Sequence, residues 1–245
     1  MFTQVRKHNV LCELLVGVVP LGISSVATWS LLSLEASYFF YVILLYMGFG
    51  YLLVEFRPPH SQVLGLGWAN RITITRAILS ISVCGLIFQV QDVPLQGYWW
   101  IIAISTIALA TDALDGWVAR NLGSESTFGA RLDMEVDAFL LITLSGILYL
   151  SGKLGVWVLG IGILRYGFLI CGNLCPFLKG ELPSCWRRKV ICVIQGLSLV
   201  VCLAPSTSLK VAVPIATLSL GLLIYSFSVD VVWLHKNRGR VAFMK

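Results

Sequence analysis

Charge is what this sequence has least of. Lys, Arg, Asp and Glu make up 12% of its 245 residues, against about 25% in an ordinary soluble domain. Only three histidines and twelve acidic side chains are present. A water-facing shell cannot be drawn from so small a supply, which excludes a soluble globular enzyme. Paired cysteine spacing is also missing: the seven cysteines lie mostly in or beside apolar runs, so neither a disulfide framework nor a thiolate metal centre is indicated. Cys171 and Cys175 stand four apart, but with no histidine nearby they read as small buried side chains. No internal repeat or low-complexity tract interrupts the chain.

What fills it instead is apolar, at 58% of residues. Runs long enough to span a bilayer, about 20 residues each, recur from Val10 to Trp233. Pro, Gly and charge clusters divide them into eight expected spans, at 10–33, 37–55, 72–91, 98–120, 130–151, 155–174, 188–204 and 211–234. The fold class is therefore an all-α integral membrane protein. Arg57 to Trp68, with Pro58 and Pro59, reads as an interfacial stretch. It makes residues 1–69 an N-terminal pair of spans with a linker, and residues 70–245 a six-helix membrane domain. The start, with Arg6 and Lys7 before an apolar stretch reaching about Leu34, has the outline of a signal peptide. Its length and the lack of a small-residue cleavage site make it a retained span.

With the N-terminus cytoplasmic, only Lys153 and Lys210 of the 18 Lys and Arg residues fall in outward connections. That asymmetry follows the positive-inside rule and puts both termini in the cytoplasm. The net charge of +6 is matched by anionic headgroups and requires no nucleic acid.

The acidic residues are not spread evenly. Six of the twelve fall between Asp112 and Asp137, and four of these lie at helical spacing inside two successive spans. Each ionised side chain at bilayer depth costs ~2.5 to 3.5 kcal/mol, so four uncompensated ones cost on the order of 10 kcal/mol. Asp112, Asp115, Gly116 and Ala119 follow an i, i+3, i+4, i+7 pattern along one helix face, and Gly129, Asp133 and Asp137 an i, i+4, i+8 pattern along another. Brought together by the polar and small residues from Asn121 to Gly129, the two faces would form a cage of hard oxygen donors. Such donors suit two Mg²⁺ ions, or Mn²⁺, better than a soft metal. Arg120, one turn beyond Gly116, can reach a diphosphate. A charged helix pair lining an ion or solute pathway is the alternative from the same residues.

Residues 112–137, DALDGWVARNLGSESTFGARLDMEVD, resemble the CDP-alcohol phosphotransferase motif D-x2-D-G-x2-A-R-x8-G-x3-D-x3-D at every fixed position. Asn70, Thr73 and Arg76 are similar to the N-x-x-T-x-x-R entry to that family's first helix, and Lys189 and Gln195 to a lysine and glutamine of its fifth. The resemblance implies a six-helix catalytic bundle, here preceded by two extra transmembrane helices, and a homodimer. It further implies that Asp112, Asp115 and Asp133 chiefly hold the metals. Asp137 adjoins them and serves as general base. Gly116, Ala119 and Gly129 leave room for the nucleotide, which Arg120, Ser126, Asn70 and Thr73 help bind. The reaction implied joins a CDP-linked donor to an alcohol and releases CMP, in membrane lipid, with a bacterial inner membrane as the expected location.

The donor can be CDP-diacylglycerol, with a soluble alcohol as acceptor, or CDP-choline or CDP-ethanolamine with diacylglycerol. Basic residues tilt the reading toward the first, since a phosphorylated acceptor such as glycerol 3-phosphate or inositol phosphate needs cationic partners. Arg131, Arg165 and Lys189 are the candidates. Arg187, Arg188 and Lys189 also read as a topology anchor. The sequence departs from many phosphatidyl transferases at Ala138, where those have Lys or Arg, and this leaves the acceptor open.

Overall fold

The structure, a computed structural model, describes residues 2–56, 67–122, 127–174 and 185–237. Among these residues the regular elements are α1 (Phe2–Leu32), α2 (Ser37–Phe56), α3 (Gly67–Gly85), α4 (Gly97–Leu122), α5 (Thr127–Leu150), α6 (Leu159–Leu174), α7 (Trp186–Leu203) and α8 (Leu209–Lys236). Short 3₁₀ turns at Leu86–Gln89 and Val156–Val158 continue α3 and precede α6. Each of the eight expected spans is thus met by one helix. α1 starts earlier than its apolar run because the polar residues ahead of Val10 continue the helix. The interfacial stretch expected at Arg57–Trp68 lies outside the described residues up to residue 66, and Gly67 and Trp68 open α3.

By length and composition, four helical stretches among the described residues can cross a membrane: Leu14–Leu32, Ser37–Glu55, Arg71–Gln89 and Leu209–Lys236. Shorter apolar stretches occupy Gly97–Thr111 and Val156–Phe168. The side-chain distribution agrees with a lipid solvent. On α2, Tyr38 and Val42 are 0% and 2% exposed, whereas Phe40 and Met47 are 65% and 68% exposed. A helix apolar on both faces has one face for its neighbours and one for hydrocarbon.

The chain forms two compact units, Met1–Thr143 and Leu144–Lys245, divided within α5. In the first, α3 is the buried member and packs against α1, α2 and α4. Hydroxyls supply the directional contacts that apolar surfaces in lipid cannot. Ser24 Oγ and Ser82 Oγ lie 2.8 Å apart, Tyr38 donates to the Ser82 carbonyl at 2.9 Å, and Trp100 Nε1 donates to Thr28 Oγ1 at 3.1 Å. At the connection between α1 and α2, Gln89 accepts from the Glu35 amide at 2.9 Å and donates to Ser37 Oγ at 2.7 Å. Gly85 permits the close approach of α2 to α3. A Cβ there would stand 2.5 Å from Val42 Cγ2 and 3.1 Å from Tyr38 Cε2.

In the second unit α7 pairs with α8, and α6 also packs on α8, with the Phe168 and Phe227 rings 5.2 Å apart. The antiparallel α7–α8 register is fixed at its middle by buried Gln195, which donates to the Ser219 carbonyl at 2.9 Å and accepts from Ser219 Oγ at 2.6 Å. Lys153 donates to the Ala204 carbonyl at 2.6 Å, satisfying the end of α7, and burial pushes its pKa below the usual lysine value.

Gln195→Leu is expected to strand the Ser219 hydroxyl and lower the melting temperature in detergent by roughly 3 to 8 °C. Adding Ser219→Ala should restore most of that loss. Thermal unfolding of the two variants followed by circular dichroism is the check.

Candidate active site

A cation in the middle of an apolar helix has to meet an anion, and in the first unit it meets two. Arg76 lies nine residues after the start of α3, ~14 Å along the helix at 1.5 Å per residue. Its side chain is 0% exposed, while those of Asp133 and Asp137 on α5 are 32% and 21% exposed. The Arg76 guanidinium forms an ion pair with Asp133 Oδ1 through Nη2. The same nitrogen is 3.5 Å from the Asp133 carbonyl oxygen and 3.4 Å from Asp137 Oδ1. One guanidinium thus bridges two carboxylates one turn apart.

The local order of both helices accounts for this. On α5, Gly129, Asp133 and Asp137 stack at successive turns of one face. On α3, buried Thr73 precedes Arg76 by one turn, and Ser80 Oγ donates to the Arg76 carbonyl at 2.9 Å one turn later. Buried Ala77 and Ile78 flank the arginine. Thr73, Arg76 and Ser80 thus follow one another along one face of α3 for about two turns.

Of the other sequence-predicted site residues, Asp112, Asp115, Gly116, Ala119 and Arg120 all lie on α4 at the expected spacing. Their side chains, and that of Asn70, lie outside the described residues, as does Ser126 altogether. Gathering of all four aspartates is therefore not among the contacts described, and among the described residues no group of three or more His, Cys, Asp or Glu side chains assembles. What can be tested fits a hard divalent ion. Asp133 and Asp137 present partly exposed carboxylate oxygens on one face, the donor type that Mg²⁺ requires.

The proposed acceptor residues belong to three different helices. Arg131 is exposed on α5, about 200° around the helix axis from Asp133 at 100° per residue. Arg165 is half-buried on α6 and Lys189 exposed on α7, both in the second unit.

Arg76 was legible as part of a helix-entry motif but not as the partner of the aspartates. A costly arginine at that depth was the available signal. Asp230 on α8 escaped notice in the same way. Its carboxylate, 7% exposed, is bound by Arg187 and lies 3.7 Å from Arg188 Nη1. The basic cluster opening α7, read from sequence as a topology anchor, thus also compensates a buried acid.

Comparison with known proteins follows the same residues. The family model described as CDP-alcohol phosphatidyltransferase matches residues 66–225. A Drosophila melanogaster protein named "Probable cardiolipin synthase (CMP-forming)" is 30% identical over 138 residues, which cover 55% of this chain and 40% of the relative. A Mycobacterium tuberculosis protein named "Probable phosphatidylglycerophosphate synthase" is 30% identical over 97 residues, covering 40% of this chain and 46% of the relative. The matched region is thus less than half the length of each of these two curated relatives. No solved structure matches the chain.

Asp230→Asn is expected to remove the carboxylate that Arg187 binds and to lower the detergent melting temperature. Breaking a buried pair costs about 3 to 5 kcal/mol. The partial exposure of both arginines, 23% and 30%, reduces this to an expected fall of roughly 3 to 10 °C. Arg187→Gln in the same chain should recover part of it, as thermal unfolding would record.

Proposed function

Because the chain belongs to the CDP-alcohol phosphatidyltransferase family, we propose that it transfers a phosphatidyl group from CDP-diacylglycerol to an alcohol and releases CMP. The observation that carries this reading is the Asp133–Asp137 face of α5, partly exposed and held beside α3 by Arg76, within a motif complete at all eight fixed positions. Asp112, Asp115, Asp133 and Asp137 would hold two Mg²⁺ ions, or Mn²⁺. Bound there, the ions offset charge on the donor diphosphate and on departing CMP.

The protein's own groups do the rest. Asp137, deeper in α5 than Asp133, takes the proton of the acceptor hydroxyl as general base. Gly116, Ala119 and Gly129 would leave room for the nucleotide. Arg120, Ser126, Asn70 and Thr73 are the groups proposed to bind it. Displacement at phosphorus depends on alignment of these parts more than on covalent help.

For the acceptor, the relatives' names favour a glycerol-containing alcohol. Glycerol 3-phosphate and phosphatidylglycerol therefore lead the choice, with inositol phosphate behind them. Arg131, Arg165 and Lys189 are the proposed cationic partners of an acceptor phosphate. The same reading makes the protein a homodimer of a bacterial inner membrane with both termini cytoplasmic.

The test is CMP release by the purified protein in lipid with CDP-diacylglycerol and each acceptor in turn. Release should require Mg²⁺ and cease on chelation. Asp137→Asn should lower turnover by about 10²-fold or more while donor binding persists. Asp112→Asn and Asp133→Asn should weaken donor binding and metal dependence as well. Turnover by Asp137→Asn near the wild-type rate would remove Asp137 as the base. Activity with CDP-choline or CDP-ethanolamine and diacylglycerol alone would reverse the donor assignment, and metal-independent solute flux without CMP would replace the enzyme with a transporter.

A further inference from the structure

We propose that the end of the first unit where α1 passes to α2 and α3 to α4 carries an aromatic belt that seats the protein in the glycerol and headgroup layer of one membrane leaflet. The partner is the lipid interface itself. The proposal does not rest on the reaction assigned above.

Each of the four helices whose ends meet here supplies at least one ring. Trp29 lies three residues before the end of α1, Phe40 and Tyr41 near the start of α2, Phe88 in the 3₁₀ turn that continues α3, and Trp99 and Trp100 in the first turn of α4. Contacts hold them at a common level. The Trp29 and Phe39 rings are 5.7 Å apart and join α1 to α2, and those of Tyr41 and Phe88 are 4.3 Å apart and join α2 to the end of α3. Trp100 joins α4 to α1 through its 3.1 Å bond to Thr28, the residue before Trp29. Trp29, Phe40, Phe88 and Trp99 are nevertheless exposed, and rings of this size give up a large favourable burial if they stand in water.

What lies on either side of the rings identifies their surroundings. Within about two turns on the inward side, the exposed side chains include Ile23 and Val26 on α1, Ile43 and Met47 on α2 and Ile107 on α4. On the outward side, the exposed residues include Ser33, Glu35 and Ser37 where α1 passes to α2, and Gln91, Asp92 and Gln96 where α3 passes to α4. Aliphatic, then aromatic, then polar is the order of hydrocarbon, interface and water. Trp and Tyr suit the middle layer because each has an apolar body and a polar edge. A protein partner meets one face of a bundle. Rings supplied by all four helices at one level are matched by a surrounding layer of lipid. Neither connection contains Lys or Arg, whereas Arg6 and Lys7 lie near the far end of α1, so the belt belongs to the leaflet away from those basic residues.

The belt also sets the depth of the rest of the unit. Arg76 stands 12 residues before Phe88 on α3 and its continuation, ~18 Å at 1.5 Å per residue. That is more than half of a hydrocarbon core about 30 Å thick. The ion pair of Arg76 with Asp133 therefore lies in the half of the bilayer away from the belt.

The experiment uses the full chain labelled with fluorotryptophan in bilayers of phosphatidylcholine and phosphatidylglycerol. The fluorine resonances of Trp29 and Trp99 are assigned by their loss in Trp29→Phe and Trp99→Phe, which keep a ring at each place. Intensities are then compared with a nitroxide at the glycerol end of the lipid chains, with a nitroxide at their methyl end, and with a soluble gadolinium chelate. Both resonances should lose most of their intensity to the glycerol-end label and keep most of it with the other two. Strongest loss to the methyl-end label would put the rings in hydrocarbon, and strongest loss to the chelate would put them in water. Insensitivity to all three would mean that protein covers them, as a second copy of the chain would. Any of these results overturns the proposal, as does a different depth for the two rings.

Discussion

An ionised carboxylate inside a bilayer keeps its charge only where a cation or water stands within reach, and the placement of several helices here follows from that requirement. Asp133 and Asp137 draw α5 to Arg76 of α3, which reaches both. Asp230 draws α8 to the two arginines that open α7. In water such pairs would contribute little, since both partners lose hydration to form them. In hydrocarbon the unpaired alternative is so unfavourable that the pairs act as registration pins, fixing rotation and depth of each helix together. Charge is scarce in this chain, so each such pair weighs heavily in how the helices assemble.

Where charge is absent, hydroxyl and amide groups perform the same task with less energy and finer spacing. The Ser24, Tyr38 and Ser82 contacts seat α1 and α2 on α3, and Gln195 with Ser219 aligns α7 with α8. Lipid removes the hydrophobic force between helices, leaving close packing and these bonds to determine which faces meet. Gly85 belongs to the same set, since α2 can approach only where α3 lacks a side chain.

The helices were legible because each span is a local property. An apolar run between Pro, Gly or charged breaks is enough to place α2 or α8 within a few residues. The aspartate motif was legible for the same reason, being contiguous from Asp112 to Asp137. Partnerships across helices were not. Arg76 and Asp133 are 57 residues apart, and Arg187 and Asp230 are 43 apart. Which side of α3 turns toward α5 depends on how α1, α2 and α4 occupy the rest of its circumference. Arg187 read as a topology marker because it sits at a helix start, and nothing local to it indicated that Asp230 would be buried alongside.

The separation of 57 residues between Arg76 and Asp133 also has a temporal meaning. Synthesis proceeds from the N-terminus, so α3 emerges from the ribosome and must be lodged in the membrane while its two acidic partners are still unmade. During that interval an uncompensated arginine weighs against insertion by ~2.5 to 3.5 kcal/mol. The two helices already made, α1 and α2, carry the hydroxyls that bind Ser82 and the glycine-fitted surface that receives α3. The N-terminal hairpin is thus the first neighbour the arginine-bearing helix meets, and it can retain that helix in the bilayer until α5 arrives with the opposite charge.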